Sequence, residues 1–114
     1  MRTIIAGSRD ITDYDLVLKA IQYSGFNITS VVCGGAKGVD SLGERYAFEN
    51  NLKVNYFIPN WDLHGRSAGP RRNVIMAENA DALIAIWDGE SRGTANMIEN
   101  ARKRNLKTYI YVQK

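Results

Sequence analysis

Three short stretches of the chain combine glycine with small polar and basic residues: Gly7-Ser8-Arg9-Asp10, Gly34-Gly35-Ala36-Lys37-Gly38 and Asp88-Gly89-Glu90-Ser91-Arg92-Gly93-Thr94. Backbone without bulky side chains lets N–H groups approach an anion, and a helix beginning at such a turn adds the positive end of its dipole. The second and third stretches run directly into segments of helical periodicity. Their amides, the Ser91 and Thr94 hydroxyls and Arg92 can therefore converge on one phosphate. A single glycine-rich turn ordinarily does no more than reverse the chain, whereas three on one sheet edge point to anion binding. GxGxxG is missing, and GGAKG lacks both the spacing and the Lys-Ser/Thr ending of a phosphate-binding P-loop, which disfavours a nicotinamide cofactor or ATP hydrolysis.

The longest segment without strand character, Trp61 to Asn73, packs Trp61, His64, Arg66, Ser67, Gly69, Pro70, Arg71, Arg72 and Asn73 into thirteen positions. Long loops usually carry function. Arg71 or Arg72 can clamp a phosphate, and Trp61 either stacks on a base or anchors the loop in the core. Asp40 and Glu44, spaced i and i+4, share a helix face and invite comparison with an acid/base or metal pair, but Asp40 near a helix start also suits a dipole partner or loop tether. Cys33, ending a buried strand, reads as core because no base accompanies it. His64 has no partner that would make it a catalytic base.

The elements that must position these residues follow from the apolar pattern. Runs rich in β-branched and aromatic residues occur at Thr3 to Ala6, Ser30 to Cys33, Val54 to Ile58, Ala82 to Trp87 and Thr108 to Val112. Mostly continuous rather than alternating, they suit strands covered on both faces. Between them, Tyr14, Val17, Leu18 and Ile21 follow helical spacing after the cap candidates Thr12 and Asp13, and Val39, Leu42, Tyr46 and Ala47 repeat it. Pro70 suits a first helical turn before Val74 and Ala77, and Thr94 precedes a stretch with Ile98 and Ala101 on one side. The order βαβαβαβαβ predicts an α/β fold: a small three-layer Rossmann-like domain with a five-stranded, mainly parallel sheet, helices on both faces and strand order 3-2-1-4-5. A ligand then belongs at the carboxyl ends of the strands, beside the reversal between the first and fourth.

Composition agrees. The 114 residues suit one domain, expected to span 1–114, and 45% apolar with 24% charged residues is a globular balance. No run approaches the ~20 apolar residues of a membrane span, and no signal peptide is evident. The lone Cys33 and His64 offer neither a disulfide nor a zinc set, and a cytoplasmic location is expected. The net charge of +3 is uneven: from His64 onward nine Lys or Arg face five Asp or Glu, while residues 1–63 carry six against seven. Such a bias favours an anionic ligand, although Arg102, Lys103 and Arg104 at a helix end serve mainly its dipole.

GSR at the first strand end, CGGAKGVDSLGERYA, the W…GRSAGPRRNVIM segment and ADALIAIWDGESRGTANMIENA together resemble the SLOG superfamily of Rossmann-like nucleotide-ligand domains, in its YspA-like, YpsA-related branch. The superfamily also holds the lonely-guy phosphoribohydrolases, which cleave nucleoside monophosphates, and the DNA-processing protein A family, which binds single-stranded DNA. The hydrolases use an Arg four residues before a Met, and a Gly-Thr with a catalytic Glu two positions after the Thr. Here Arg72 stands four before Met76 and Gly93-Thr94 are present, but the Glu position is Asn96. Glu99 and Glu90 do not occupy it. The resemblance thus implies fold and ligand class more firmly than reaction, and it favours dimers.

The expected function is binding of a nucleotide or nucleotide-derived phosphorylated ligand, as a sensor or sequestering module. The expected contacts are Gly7, Ser8, Arg9, Gly34, Gly35, Ala36, Gly38, Asp40, Trp61, Arg71, Arg72, Asn73, Ser91, Arg92, Gly93, Thr94 and Asn96. No cofactor or metal is expected. One alternative is an N-glycosidase of nucleoside monophosphates, with Arg72, Asp40 or Glu99 as catalytic candidates. The other is a single-stranded DNA-binding accessory, for which the charge is thin. Self-association is expected through the last strand, Tyr109-Ile110-Tyr111-Val112, at a sheet edge.

Overall fold

A computed structural model describes residues 1–113; Lys114, the last residue of the expected domain, lies outside the described residues. The elements are β1 (Arg2–Gly7), α1 (Tyr14–Ser24), β2 (Ser30–Cys33), α2 (Val39–Glu49), β3 (Lys53–Tyr56), α3 (Trp61–His64), a 3-10 turn (Gly65–Ser67), α4 (Ala68–Glu78), β4 (Ala82–Trp87), α5 (Arg92–Lys103) and β5 (Lys107–Val112). All five strands are parallel in the order β3-β2-β1-β4-β5. The reversal falls between β1 and β4, which pair from Thr3↔Ala82 to Gly7↔Ile86.

Successive residues of a strand point to opposite faces, and both faces of this sheet are covered. Ile4, Val32, Leu83 and Ala85 pack against Met76 and Ala77 of α4 and Met97 and Ile98 of α5. Ile5, Val31, Ile84 and Ile86 pack against Val17 and Ile21 of α1 and Val39 and Ala47 of α2. Each fully buried Ile, Leu or Val contributes roughly 1.5–3 kcal/mol by leaving water, which is why continuous apolar runs form the central strands.

Capping sets the helix starts. The Asp13 carboxylate accepts from the Asp15 amide at 3.0 Å, and the Asn60 side chain accepts from the Leu63 amide at 3.0 Å. Ser91, not a later residue, caps α5, so Thr94 lies inside the first turn.

Two expectations need correction. The segment Trp61 to Asn73 is not a loop: α3, a 3-10 turn and the start of α4 occupy it, with Pro70 in the first turn of α4, where its missing N–H costs nothing. The third strand ends at Tyr56, before Ile58. The Phe57 amide still reaches the Cys33 carbonyl at 2.9 Å, but Pro59 has no N–H to continue a ladder.

Candidate functional site

At the carboxyl ends of β1, β2 and β4, beside the reversal, lies a cleft of about 720 Å³. One wall is the β2–α2 turn with Arg9, and the opposite wall is the head of α5. Trp61 and the start of α4 close the third side, and Met76 and Met97 form an apolar floor.

Ser8 ties two of the glycine-rich turns together. Its hydroxyl accepts from the Asp88 amide at 2.9 Å, its N–H donates to the Ile86 carbonyl at 3.1 Å, and its carbonyl accepts from Val39 at 3.4 Å. With every polar group so used, Ser8 is buried and does not line the cleft. Asp88 accepts from the amides of Glu90 and Ser91, each at 2.8 Å, and those bonds, the Ser91 one foremost, hold its carboxyl below the usual carboxylate range. The Ser91 hydroxyl accepts from the Thr94 hydroxyl at 3.1 Å and from the Thr94 amide at 3.4 Å, while its carbonyl accepts from Ala95 and from Trp87 Nε1. The α5 head is thereby fixed, with Ser91, Arg92, Gly93 and Thr94 lining the cleft.

The second turn is organised around an acid and a cation. Arg72 Nη1 donates to the Gly34 carbonyl, tying α4 to the end of β2. A Cβ on Gly34 would fall 2.5 Å from Arg72 Nη1 and 2.9 Å from Asp40 Oδ2, so any side chain there would displace the Arg72 and Asp40 side-chain ends. Gly35 has φ +75°. Asp40, only 5% exposed, accepts from the Ala36 amide at 3.2 Å. Burial pushes its carboxyl above the usual carboxylate range, against the opposing pull of the Ala36 N–H and the Arg72 cation. Burial likewise draws Arg72 below the ordinary guanidinium value, with Asp40 opposing.

A file of side-chain amides runs from Arg72 along α5. Arg72 Nε donates to Asn73 Oδ1 at 2.9 Å, and Asn73 Nδ2 donates to the Gly93 carbonyl at 3.3 Å and to Asn96 Oδ1 at 3.0 Å. Asn100 Nδ2 donates to the Asn96 carbonyl at 2.9 Å and to Asn96 Oδ1 at 3.2 Å.

The cleft brings together most of the residues singled out from the sequence, with some divisions. Gly7, Arg9, Gly34, Gly35, Ala36, Asp40, Trp61, Arg72, Asn73 and Asn96 line it. Gly38 does not, because its backbone lies against the Ser8 and Arg9 carbonyls. Arg71 points elsewhere, donating through Nε to Ser67 Oγ at 3.0 Å, and Glu99 pairs with Lys103 at 3.0 Å; both border a separate outer depression. Asp40 and Glu44 do not act as a pair, since Glu44 accepts from the Tyr56 hydroxyl, a bond that pushes Tyr56 up to about 12. Trp61 is 58% exposed and so is not a core anchor. His64 ends α3 away from the cleft lining. Burial pushes the Cys33 thiol up to about 11, unsuited to a nucleophile. Lys37, Ile58, Pro59, Met76 and Met97 also line the cleft. Lys37 was legible as part of its turn, whereas the two methionines look like any core residue in sequence.

A doubly covered parallel sheet with glycine-rich turns at its switch point defines a Rossmann-like fold. The family model for the YspA, cpYpsA-related SLOG family matches residues 1–64, and the chain belongs to that family. The matched stretch carries the first two glycine-rich turns and Asp40, while Arg72, Asn73 and the α5 head lie beyond it. The Gene 61 protein of Mycobacterium phage D29 is 30% identical over 115 aligned positions, covering 92% of this chain and 91% of that protein. Among solved structures, DNA processing protein A from Streptococcus pneumoniae shares the fold with a TM-score of 0.79 at 19% identity. That match covers 99% of this chain and 50% of the other, so the chain spans about half the length of that structure. No helix among the described residues is long and apolar enough to cross a membrane.

Proposed function

We propose that the chain binds a nucleotide or nucleotide-derived phosphorylated ligand in the cleft at the β1, β2 and β4 ends, acting as a sensor or sequestering module. The observation that carries this reading is the charge of the lining: Arg9, Lys37, Arg72 and Arg92 face a space that holds one acidic side chain, Asp40, itself buried. Four cations around hydrogen-bond donors favour a polyanion. The exposed Trp61 ring and the apolar Ile58 and Pro59 at the rim suit the flat face of a base. Membership in the SLOG family supports the same ligand class. The partner is thus a small molecule, residues 1–114 act as one binding unit, and β5 at the sheet edge supports self-association.

The N-glycosidase alternative draws on one observation, a buried carboxyl at Asp40 beside the Arg72 cation. Against it, Asn96 and not a carboxylate lines the cleft at the head of α5. DNA binding has the fold likeness to DNA processing protein A behind it and no more. A thermal-shift screen of nucleotides, cyclic nucleotides and ADP-ribose derivatives separates these readings. A saturable rise without release of free base supports binding, release of base supports the hydrolase, and stabilisation by single-stranded DNA alone supports the third.

A further inference from the structure

Backbone carbonyls only accept hydrogen bonds, and that fact fixes the orientation of three side-chain amides, those of Asn73 and Asn96 in the cleft wall and that of Asn100 behind them in the outer depression. Asn73 must turn its NH2 toward the Gly93 carbonyl, and Asn100 must turn its NH2 toward the Asn96 carbonyl. Both assignments are corroborated from the far side. Asn73 Oδ1 accepts from Arg72 Nε at 2.9 Å, and Asn100 Oδ1 accepts from Arg104 Nη1 at 3.2 Å, and a guanidinium can only donate. The same two NH2 groups then converge on the Asn96 side chain, at 3.0 and 3.2 Å. The atom that receives two donors has to be oxygen. Asn96 Nδ2 is left with no partner among the described residues, on a side chain that lines the cleft and also borders the outer depression.

We infer that Asn96 is a specificity-determining residue, which presents its NH2 to the ligand as an obligate donor, with Asn73 and Asn100 as the positioning residues that prevent it from flipping. The ligand atom beside it must be an acceptor: a phosphate, carbonyl or ribose oxygen, or an unprotonated ring nitrogen of the base. This inference rests on the nucleotide-binding reading of the cleft and refines it. An unfixed asparagine could rotate its amide to serve either a donor or an acceptor; here rotation would set an NH2 against two other NH2 groups and forfeit both bonds. Arg72 shares the arrangement, since Asn73 Oδ1 holds its Nε while Nη1 is held at the Gly34 carbonyl.

The test uses AMP, GMP, CMP and UMP, their di- and triphosphates, cyclic nucleotides and ADP-ribose with the full chain. Asn96→Asp has nearly the same shape, and one of its oxygens can still receive the Asn73 and Asn100 donors, but the other presents a charged acceptor to the cleft. The expected result is a native-like melting temperature with at least about tenfold weaker binding of whichever nucleotide stabilises the wild type. Wild-type binding matched by Asn96→Asp overturns the inference and leaves the nucleotide reading standing; no stabilisation of the wild type by any member of the panel overturns both. Should the variant fail to fold, side-chain amide NMR of the wild type decides. The Asn96 NH2 protons are expected to exchange with water faster than those of Asn73 and Asn100, and to shift on nucleotide addition. Protected, unmoved Asn96 protons overturn the inference.

Discussion

The Gly34 carbonyl just after β2 accepts a hydrogen bond from Arg72 on α4, and Asp40 Oδ2 lies beside the same glycine. Two walls of the cleft are thereby joined across a residue without a side chain, and the cation is held where it neighbours one buried carboxylate.

That carboxylate makes stability depend on pH with a definite sign. A carboxyl whose value is raised on folding binds its proton more tightly in the native than in the unfolded chain, so stability falls as pH rises from the ordinary Asp value through the raised one. Asp40→Asn removes this dependence while keeping an acceptor for the Ala36 amide. Denaturation midpoints from pH 3 to pH 7 should show wild type losing ground to the variant as pH rises. Wild type gaining on the variant over that range contradicts the burial argument.

Gly35 has φ +75°, and a Cβ there would overlap the Ile58 Cδ1. Gly35→Ala should cost about 1–2 kcal/mol through the left-handed backbone, lowering the melting temperature together with nucleotide affinity. An unchanged melting temperature with weakened binding would mean that strain in this turn is unimportant.

Gly93 offers the contrasting case, because a Cβ built on it meets nothing within 4 Å. Gly93→Val should therefore keep the fold and melting temperature but lose ligand, since the added side chain occupies space at the α5 head. A folded variant with wild-type affinity rejects this part of the site.

Much of this arrangement is legible in the sequence, and the failures have physical causes. The β-branched runs give all five strands, and the rule that ligands gather at the switch point of a parallel sheet selects the glycine-rich turns. Helix in Trp61–Asn73 is hidden because Gly65, Ser67, Gly69 and Pro70 interrupt the apolar period, while the bonds that form it, such as His64 N–H to the Asn60 carbonyl at 3.0 Å, are local and leave no periodic trace. Arg71 and Arg72 are neighbours on a helix, about 100° apart, so only one can face the cleft, and composition does not say which. The roles of Asn73 and Asn100 depend on carbonyls far from them in sequence or one helical turn away, and nothing in their own residue type announces them.

Asn96 sets the expectation for chemistry. A neutral amide held as a donor cannot supply the negative charge that stabilises an oxocarbenium-like centre, and the loss of such help is typically worth ~10²–10⁴-fold in rate. Base release from nucleoside monophosphates by wild type should fall well below ordinary enzymatic rates, with Asn96→Glu the variant to compare. Wild-type turnover on the order of 1 s⁻¹ or more would contradict the binding-module reading and send the search for a catalytic carboxylate to Asp40 and Glu99.

Calorimetric titration of nucleotides into wild type and Arg72→Ala, at low and high salt, tests anion binding in the cleft most directly. Saturable binding by wild type that weakens with salt and is lost in a folded Arg72→Ala is the predicted result, accompanied by about 2.7 kcal/mol of added stability at ligand concentrations 100 times the dissociation constant. No binding to wild type, or equal affinity in the folded variant, would contradict it.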